Sequence, residues 1–391
     1  MKSNYKMLGQ YIRPIDVRNT DGQETNLLGV SVQKKFIPSI ANTVGTDFTK
    51  YKVVKKRQFT YIPDTSRRGD KIGIALLEDY NSGIVSNIYT VFEVIDTEQL
   101  LPEYLMLWFM RPEFDRLARF KSHGSVREVF DWEQMCSVEL PVPDIDKQRE
   151  IVNAYKKIND RIIMKQQIND NLASTGIAII EKCIGNPAQI NKTQAELDSI
   201  VLPDGWELLS ISQFCKETKS GATPSRDIAE YWINGNIPWV KSGEVHNGII
   251  LQVEEHITQN AIDNSSTKLL PADTVLMAMY GVTAGEVGYL AIPATTNQAV
   301  CGMVCKSKAE AAYLFFSLLQ SKEQASRLSN GGAQDNLSKG FIDNIFLIVP
   351  TYHEIEKLEL NNIVNSILLN SKEILMLLEM QNSLLTQLSS H

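Results

Sequence analysis

The feature that most constrains this chain is an internal repeat. Slid on itself by a single ungapped offset of 207, the sequence places Leu107-Trp108-Phe109 on Leu314-Phe315-Phe316. The same frame sets Ala118 on Ala325, Gly124 on Gly331, Leu140 on Leu347, Pro143 on Pro350 and Ile151 on Leu358. An aromatic helix core, a glycine and a strand-ending proline shared in one frame imply one structural unit used twice. Each copy is followed by an amphipathic stretch far longer than a small domain needs.

The first stretch runs from Asp144 to about Gly185. Pro141 and Pro143 break whatever precedes it. Asp144, Asp146 and Glu150 supply acid to a first helical turn, where the backbone dipole favours it. Tyr155, Ile158, Ile162, Leu172, Gly176, Ile179 and Cys183 then recur at three-four spacing, interrupted by Lys165 and Asn169. The second stretch carries Leu360, Ile363, Ile367, Asn370, Ile374, Leu377, Gln381, Leu384 and Leu388 at the spacing of a coiled-coil seam, with Asn370 able to set register. Neither rod can bury its stripe alone. The two are expected to pair antiparallel, with Lys165 and Asn169 available for contacts beyond a two-helix seam; packing of each helix on its own domain is the alternative.

These signals give an α+β fold class: two pseudo-repeated mixed α/β domains separated by two long antiparallel coiled-coil helices. The boundaries are 1–143, the central helix 144–185, 186–350, and the C-terminal helix 351–391. Period-two runs such as IVSNIYTVFEVI (84–95) and Gly/Pro/Asn punctuation after Trp206 mark the strands.

Composition narrows the function. With 391 residues and a formal charge of -7, any nucleic-acid site must be a local basic patch. Five scattered cysteines fit a reducing compartment, and no apolar signal core or membrane-length run occurs, which together predict a cytoplasmic protein. The phosphate-binding loop G-x-x-x-x-G-K-[ST] is missing, GVTAGEVG (281–288) has the wrong glycine spacing for a dinucleotide site, and His353-Glu354 lacks a second histidine four residues on. No catalytic or metal-ligating set is assigned.

Basic residues do cluster. Lys52–Lys71 holds seven cations against Asp64 and Asp70, a local charge of +5, interleaved with Tyr51, Phe59 and Tyr61. Such a segment also suits a solvated strand pair with charged edges. Its candidates for DNA contact are Lys55, Lys56, Arg57, Arg67 and Arg68, joined by Lys121, His123 and Arg127 around a glycine turn. In the second half the candidates are Thr223, Ser225 and Arg226 on a Gly/Pro loop, then Lys241, Ser242, Tyr280 and Lys339. Trp232 and Trp239 read as core.

The run LPDGWELLSISQFCKETKSGATPSRDIAEYWINGNIPWVKSGEV (202–245) resembles the start of a target-recognition domain of type I restriction-modification specificity (S) subunits. The resemblance rests on Gly205-Trp206-Glu207, Gly221-x-Thr223-Pro224-Ser225, Tyr231-Trp232 and Ile237-Pro238-Trp239-Val240. LLPADTVLMAMYG, TNQAVCGMV and GAQDNLSKGFIDNIFLIVP extend it, and PVPDIDKQREIV (141–152) resembles the family's proline-then-helix junction. TYHEIEKLEL (351–360) departs where a second proline and an acid-Gln pair are usual. The resemblance implies two target-recognition domains, each reading half of a bipartite asymmetric site in double-stranded DNA, with the helices fixing the gap. It implies two modification (methyltransferase) subunits and ATP-dependent restriction subunits as partners, with S-adenosylmethionine, ATP and Mg bound there rather than by this non-catalytic chain. A specificity partner of a fused restriction-methylation (type IIB-like) enzyme and a coiled-coil assembly scaffold are the alternatives.

Overall fold

The computed structural model describes residues 5–39, 45–64, 71–122, 128–329 and 337–388. Packing divides the chain into two compact units, 1–161 with 377–391, and 162–376. Each long helix therefore contributes residues to both units instead of forming a separate segment, as the sequence boundaries had it.

In the first unit, strands Ile12–Ile15, Thr90–Val94, Phe59–Tyr61 and Ile74–Leu76 form an antiparallel sheet in that order. Their alternation is the period-two pattern expected of a sheet covered on both faces. Phe59, Tyr61, Ile74, Phe92 and Val94 face the helices Pro102–Phe109 and Pro112–Ser122, while Val91, Ala75 and Leu77 face a second core with Leu28, Val54 and Val85. Phe59 stacks on Phe92 with ring centroids 4.8 Å apart.

The second unit repeats this plan. Strands Glu217–Ser220, Val300–Val304, Thr274–Ala278 and Val287–Leu290 follow one another antiparallel, and Ile249–Ile250 adds a parallel edge. Val275, Met277, Tyr289, Cys301 and Met303 face helix Lys308–Gln320; Leu276, Ala278, Leu290 and Val300 face the opposite core. The offset of 207 survives in the coordinates. Helix Trp132–Cys136 maps onto Lys339–Asp343 in that frame, and Phe130 N–H, which donates to the Pro63 carbonyl, onto Leu337 N–H, which donates to the Met279 carbonyl at an offset of 216.

The central helix spans Ile145–Cys183, 39 residues, and at about 1.5 Å per residue is roughly 58 Å long. Asp144 opens it by accepting from the Lys147 N–H, and Gly185 (φ +86°) closes it by donating to the Ile180 and Glu181 carbonyls. Within the second unit it pairs antiparallel with the closing helix Leu360–Gln387. Lys165 meets Asn370 and Glu373, while Leu172, Ile177 and Ile180 share a core with Leu360, Val364 and Ile367. Within the first unit Ile151 shares a core with Leu385 and Leu388.

Three expectations are corrected. Lys165 and Asn169 lie inside the two-helix seam: Lys165 Nζ donates to Asn370 Oδ1 at 2.8 Å, and Asn370 Nδ2 donates to Asn169 Oδ1 at 3.0 Å. Cys183 is exposed and Ile180 takes the core position, because a straight helix turns every 3.6 residues and drifts from a strict three-four stripe. The last stretch is two helices, Tyr352–Lys357 and Leu360–Gln387, with Glu359 at φ +51° between them.

The junctions from domain to helix differ chemically. Gln148 is fully buried, accepts from the Leu101 N–H, and donates to the carbonyls of Gln99 and Pro143 at 2.8–2.9 Å. At the equivalent place, 207 residues on, stands buried Ile355 in the apolar core. Gln148→Leu strands one buried donor and two acceptors, so it is expected to cost about 2–3 kcal/mol in urea unfolding. A cost under about 0.5 kcal/mol would show that water replaces the amide there.

Candidate nucleic-acid interface

The strands of the second sheet end together, since Ser220 pairs with Cys301 and Ala278 with Val300. The backbone beyond them is bonded from loop to loop. Gly221 N–H donates to the Val300 carbonyl (3.1 Å), Ala222 N–H to Thr296 (2.9 Å), Asn297 N–H to Val240 (2.9 Å), Met279 N–H to Ala299 (2.7 Å) and Leu337 N–H to Met279 (2.9 Å). These bonds gather Thr223, Ser225, Arg226, Lys241, Ser242, Tyr280 and Lys339 at one end of the sheet. Glycine is required at 221: a Cβ there would lie 2.1 Å from Thr296 Oγ1 and 2.2 Å from two backbone carbonyls.

The two tryptophans are more than core. Trp239 is 3% exposed, yet its indole N–H holds the Ala222 carbonyl; half-buried Trp232 holds the Ser225 carbonyl, both at 3.0 Å. They pack edge to face at 5.1 Å and fix the loop that carries Thr223, Ser225 and Arg226. The Arg226 guanidinium carbon sits over Trp232, 3.6 Å from the ring centre, and its Nη1 donates to Glu255 at 2.5 Å. Glu255 also meets Lys241 (3.3 Å), which meets Glu254 (2.6 Å). The Arg226 hydrogen bond holds the Glu255 carboxyl below the usual range, and the Glu254 carboxylate raises the Lys241 ammonium. Thr223 Oγ1 hydrogen-bonds Gln298 Oε1. Tyr280 is exposed beside Gly281 (φ +74°), Ser242 is half-buried at the start of a short turn, and Lys339 bonds Asp343 (2.5 Å) and Thr218 (2.8 Å). Glu255 and Gln298 were not legible as site residues; only the folded pairing draws them in.

In the first unit the corresponding sheet end carries Pro63 and Phe130. Lys121 is on that side: its Nζ donates to Ser137 Oγ at 2.7 Å, and its carbonyl accepts from Gln134 of the helix that follows Phe130. Lys55, Lys56 and Arg57 form a turn before strand Phe59–Tyr61, bonded to Asn81 and Leu77, at the other end of that strand. Arg57 (φ +68°) pairs with Glu103 at 3.2 Å. The structure thus does not bring these three together with Lys121. Arg67, Arg68, His123 and Arg127 lie outside the described residues. A cation missed by sequence reading, Arg18, follows strand Ile12–Ile15, as the 221–226 loop follows Glu217–Ser220. Arg18 and Lys52 share Asp16, and Arg18 donates to the Lys50 carbonyl. Arg18 stands too far along the chain from Lys50 and Lys52 to register as a charge run.

Among the described residues no group of three or more His, Cys, Asp or Glu is placed to hold a metal, and no helix is long and apolar enough to cross a membrane. Burial pushes the Cys301 thiol up to about 12, which suits packing and not nucleophilic chemistry.

Comparison with known proteins follows the repeat. The family model for the type I restriction modification DNA specificity domain matches residues 4–174 and again 203–379. The HindI specificity subunit of Haemophilus influenzae is 22% identical over 366 residues, covering 77% of this chain and 78% of that protein. The MjaIX specificity subunit of Methanocaldococcus jannaschii is 28% identical over 172 residues, 42% of this chain and 38% of that one. In fold, the chain is similar to the S subunit of a type I restriction-modification system from M. genitalium, with a TM-score of 0.55 at 14% identity over 98% of this chain and 95% of that one.

Proposed function

Because the chain belongs to the family of type I restriction modification DNA specificity domains, we propose that it is a non-catalytic DNA sequence-specificity subunit that directs methyltransferase and restriction subunits to their site. Each repeat reads one half of a bipartite asymmetric sequence in double-stranded DNA. Two methyltransferase subunits join it, and S-adenosylmethionine, ATP and Mg belong to those partners and the restriction subunits. The complex works in the cytoplasm.

The observation that carries this reading is the convergence of polar loops at one end of the second sheet, with Lys121 on the equivalent side of the first. Base identity is read by side chains that reach groove edges, while Lys and Arg on phosphates set register. In the second repeat the Thr223–Arg226 loop, Lys241, Ser242, Tyr280 and Lys339 supply both kinds of group. In the first, Lys121, Arg127, His123, Arg67 and Arg68 serve that role, and the separate Lys55–Arg57 turn tracks phosphate elsewhere.

Methylome sequencing of cells expressing this chain with its modification subunit is expected to return a split, adenine-methylated motif. An intact, active complex that methylates no such motif would sink the proposal. The long helices are proposed to set the unread gap. Inserting one heptad in each is expected to lengthen the gap with both half-sites unchanged; an unchanged gap with an altered half-site would refute that role.

A further inference from the structure

The densest chemistry in the second unit is the group formed by Arg226, Lys241, Glu254, Glu255 and Trp232. Two cations face two carboxylates within 3.3 Å, so the group as folded carries no net positive charge. Glu244 adds a third carboxylate close by, accepting from the backbone N–H groups of Lys241 and Glu254. A phosphate contact draws its strength from net positive charge that releases counterions. A guanidinium already matched by a carboxylate at 2.5 Å brings little such charge, but it still brings donors.

Those donors are held in place. Trp232 supports the Arg226 guanidinium from one side, 3.6 Å from ring centre to guanidinium carbon, and its own indole is tied to the Ser225 carbonyl. Glu255 takes Nη1, and of the described residues it is the only one hydrogen-bonded to the guanidinium. The Nε–Nη2 edge stays available on a side chain that is 52% exposed. An immobilised planar fork loses little rotamer freedom on binding. Its complement is a pair of neutral acceptors side by side, which in the DNA major groove is the O6/N7 edge of guanine.

We propose that Arg226 is a base-reading residue for one guanine of the second repeat's half-site, with Glu255 and Trp232 as the positioning residues that aim it. This rests on the DNA-specificity reading above and deepens it. Lys241 shares Glu255 and so couples to the same position.

The test uses the complex of this chain with its methyltransferase subunits, the methylated motif as a duplex, and a panel of duplexes with single base-pair changes. Binding is measured across a salt series. Arg226→Lys keeps the charge but loses the fork, and is expected to lower discrimination at one G·C pair about ten- to a hundredfold, with other positions and the salt slope unchanged. Glu255→Gln, nearly isosteric, is expected to relax the same pair to a smaller degree, which a merely structural role would not confine to one position. A uniform loss across all duplexes, confined to no single base pair, would make Arg226 a phosphate contact and overturn the inference. Unchanged discrimination in both variants would also overturn it while leaving the specificity function standing. A wild-type complex without any sequence preference would remove both.

Discussion

Lys34→Met is expected to destabilise the first unit by about 3–5 kcal/mol, the usual cost of leaving one partner of a buried ion pair unpaired. Lys34 and Asp115 are 5% and 9% exposed, with Nζ 2.9 Å from Oδ1. Desolvation depresses the Lys34 ammonium, and Asp115 opposes that fall. Lys34 also donates to the Phe109 carbonyl and sits 5.5 Å above the Phe114 ring, while Asp115 accepts from the Ile72 N–H. Removing the ammonium leaves a buried carboxylate whose hydrogen bond from the Ile72 N–H, 3.1 Å, carries no compensating charge. Urea unfolding measures the loss, and faster hydrogen exchange at Ile72 locates it. Lys34→Met with Asp115→Leu removes both charges and is expected to recover most of the loss. A single variant that costs under about 1 kcal/mol would show that water reaches Asp115.

Gly221→Ala is the second change with a large expected effect, and it acts on recognition more than on stability. A methyl group 2.1–2.2 Å from Thr296 Oγ1 and two carbonyl oxygens cannot be accommodated by a side-chain rotation, because two of the three obstacles are backbone. The loop must leave the Val300 and Thr296 carbonyls, and Thr223, Ser225 and Arg226 leave with it. Overpacking costs about 1–3 kcal/mol in stability. Specific binding is expected to fall at least about thirtyfold, the sum of two or more half-site contacts at roughly 1–3 kcal/mol each. Competition binding with half-site-scrambled duplexes reads this directly. Preference for the first repeat's half-site should persist; equal loss in both half-sites would place the defect in folding.

The sequence made the duplication readable because helix packing preserves residue spacing. Trp132–Cys136 and Lys339–Asp343 keep the 207 frame, as do the helix starts Ile145 after Pro143 and Tyr352 after Pro350. Loop lengths between strands are free to vary, and there the frame is lost. Charge was less informative. The run at Lys55–Arg57 is adjacent in sequence but sits away from Lys121, whereas Arg18 and Lys52 meet only through strand pairing. The tryptophans were correctly read as packed groups, but an indole N–H that must find a partner also makes each of them a loop anchor. Seam residues set a similar trap: Lys165, Asn169 and Asn370 satisfy one another inside it, a solution visible only when both helices are in view. The break at Glu359 leaves no proline or glycine to announce it; the Thr351–Glu354 capping box starts a short helix that a backbone at φ +51° then ends.

The unlike junctions at Gln148 and Ile355 give the two repeats different responses to temperature. Attachment through buried apolar surface weakens on cooling, because that driving force is largely entropic near room temperature. Attachment through three hydrogen bonds does not draw on that term. Ile151, Val152 and Tyr155 add apolar contact in the first unit too, so cooling should weaken both junctions but the second, which has no such hydrogen bonds at its equivalent residue, by more.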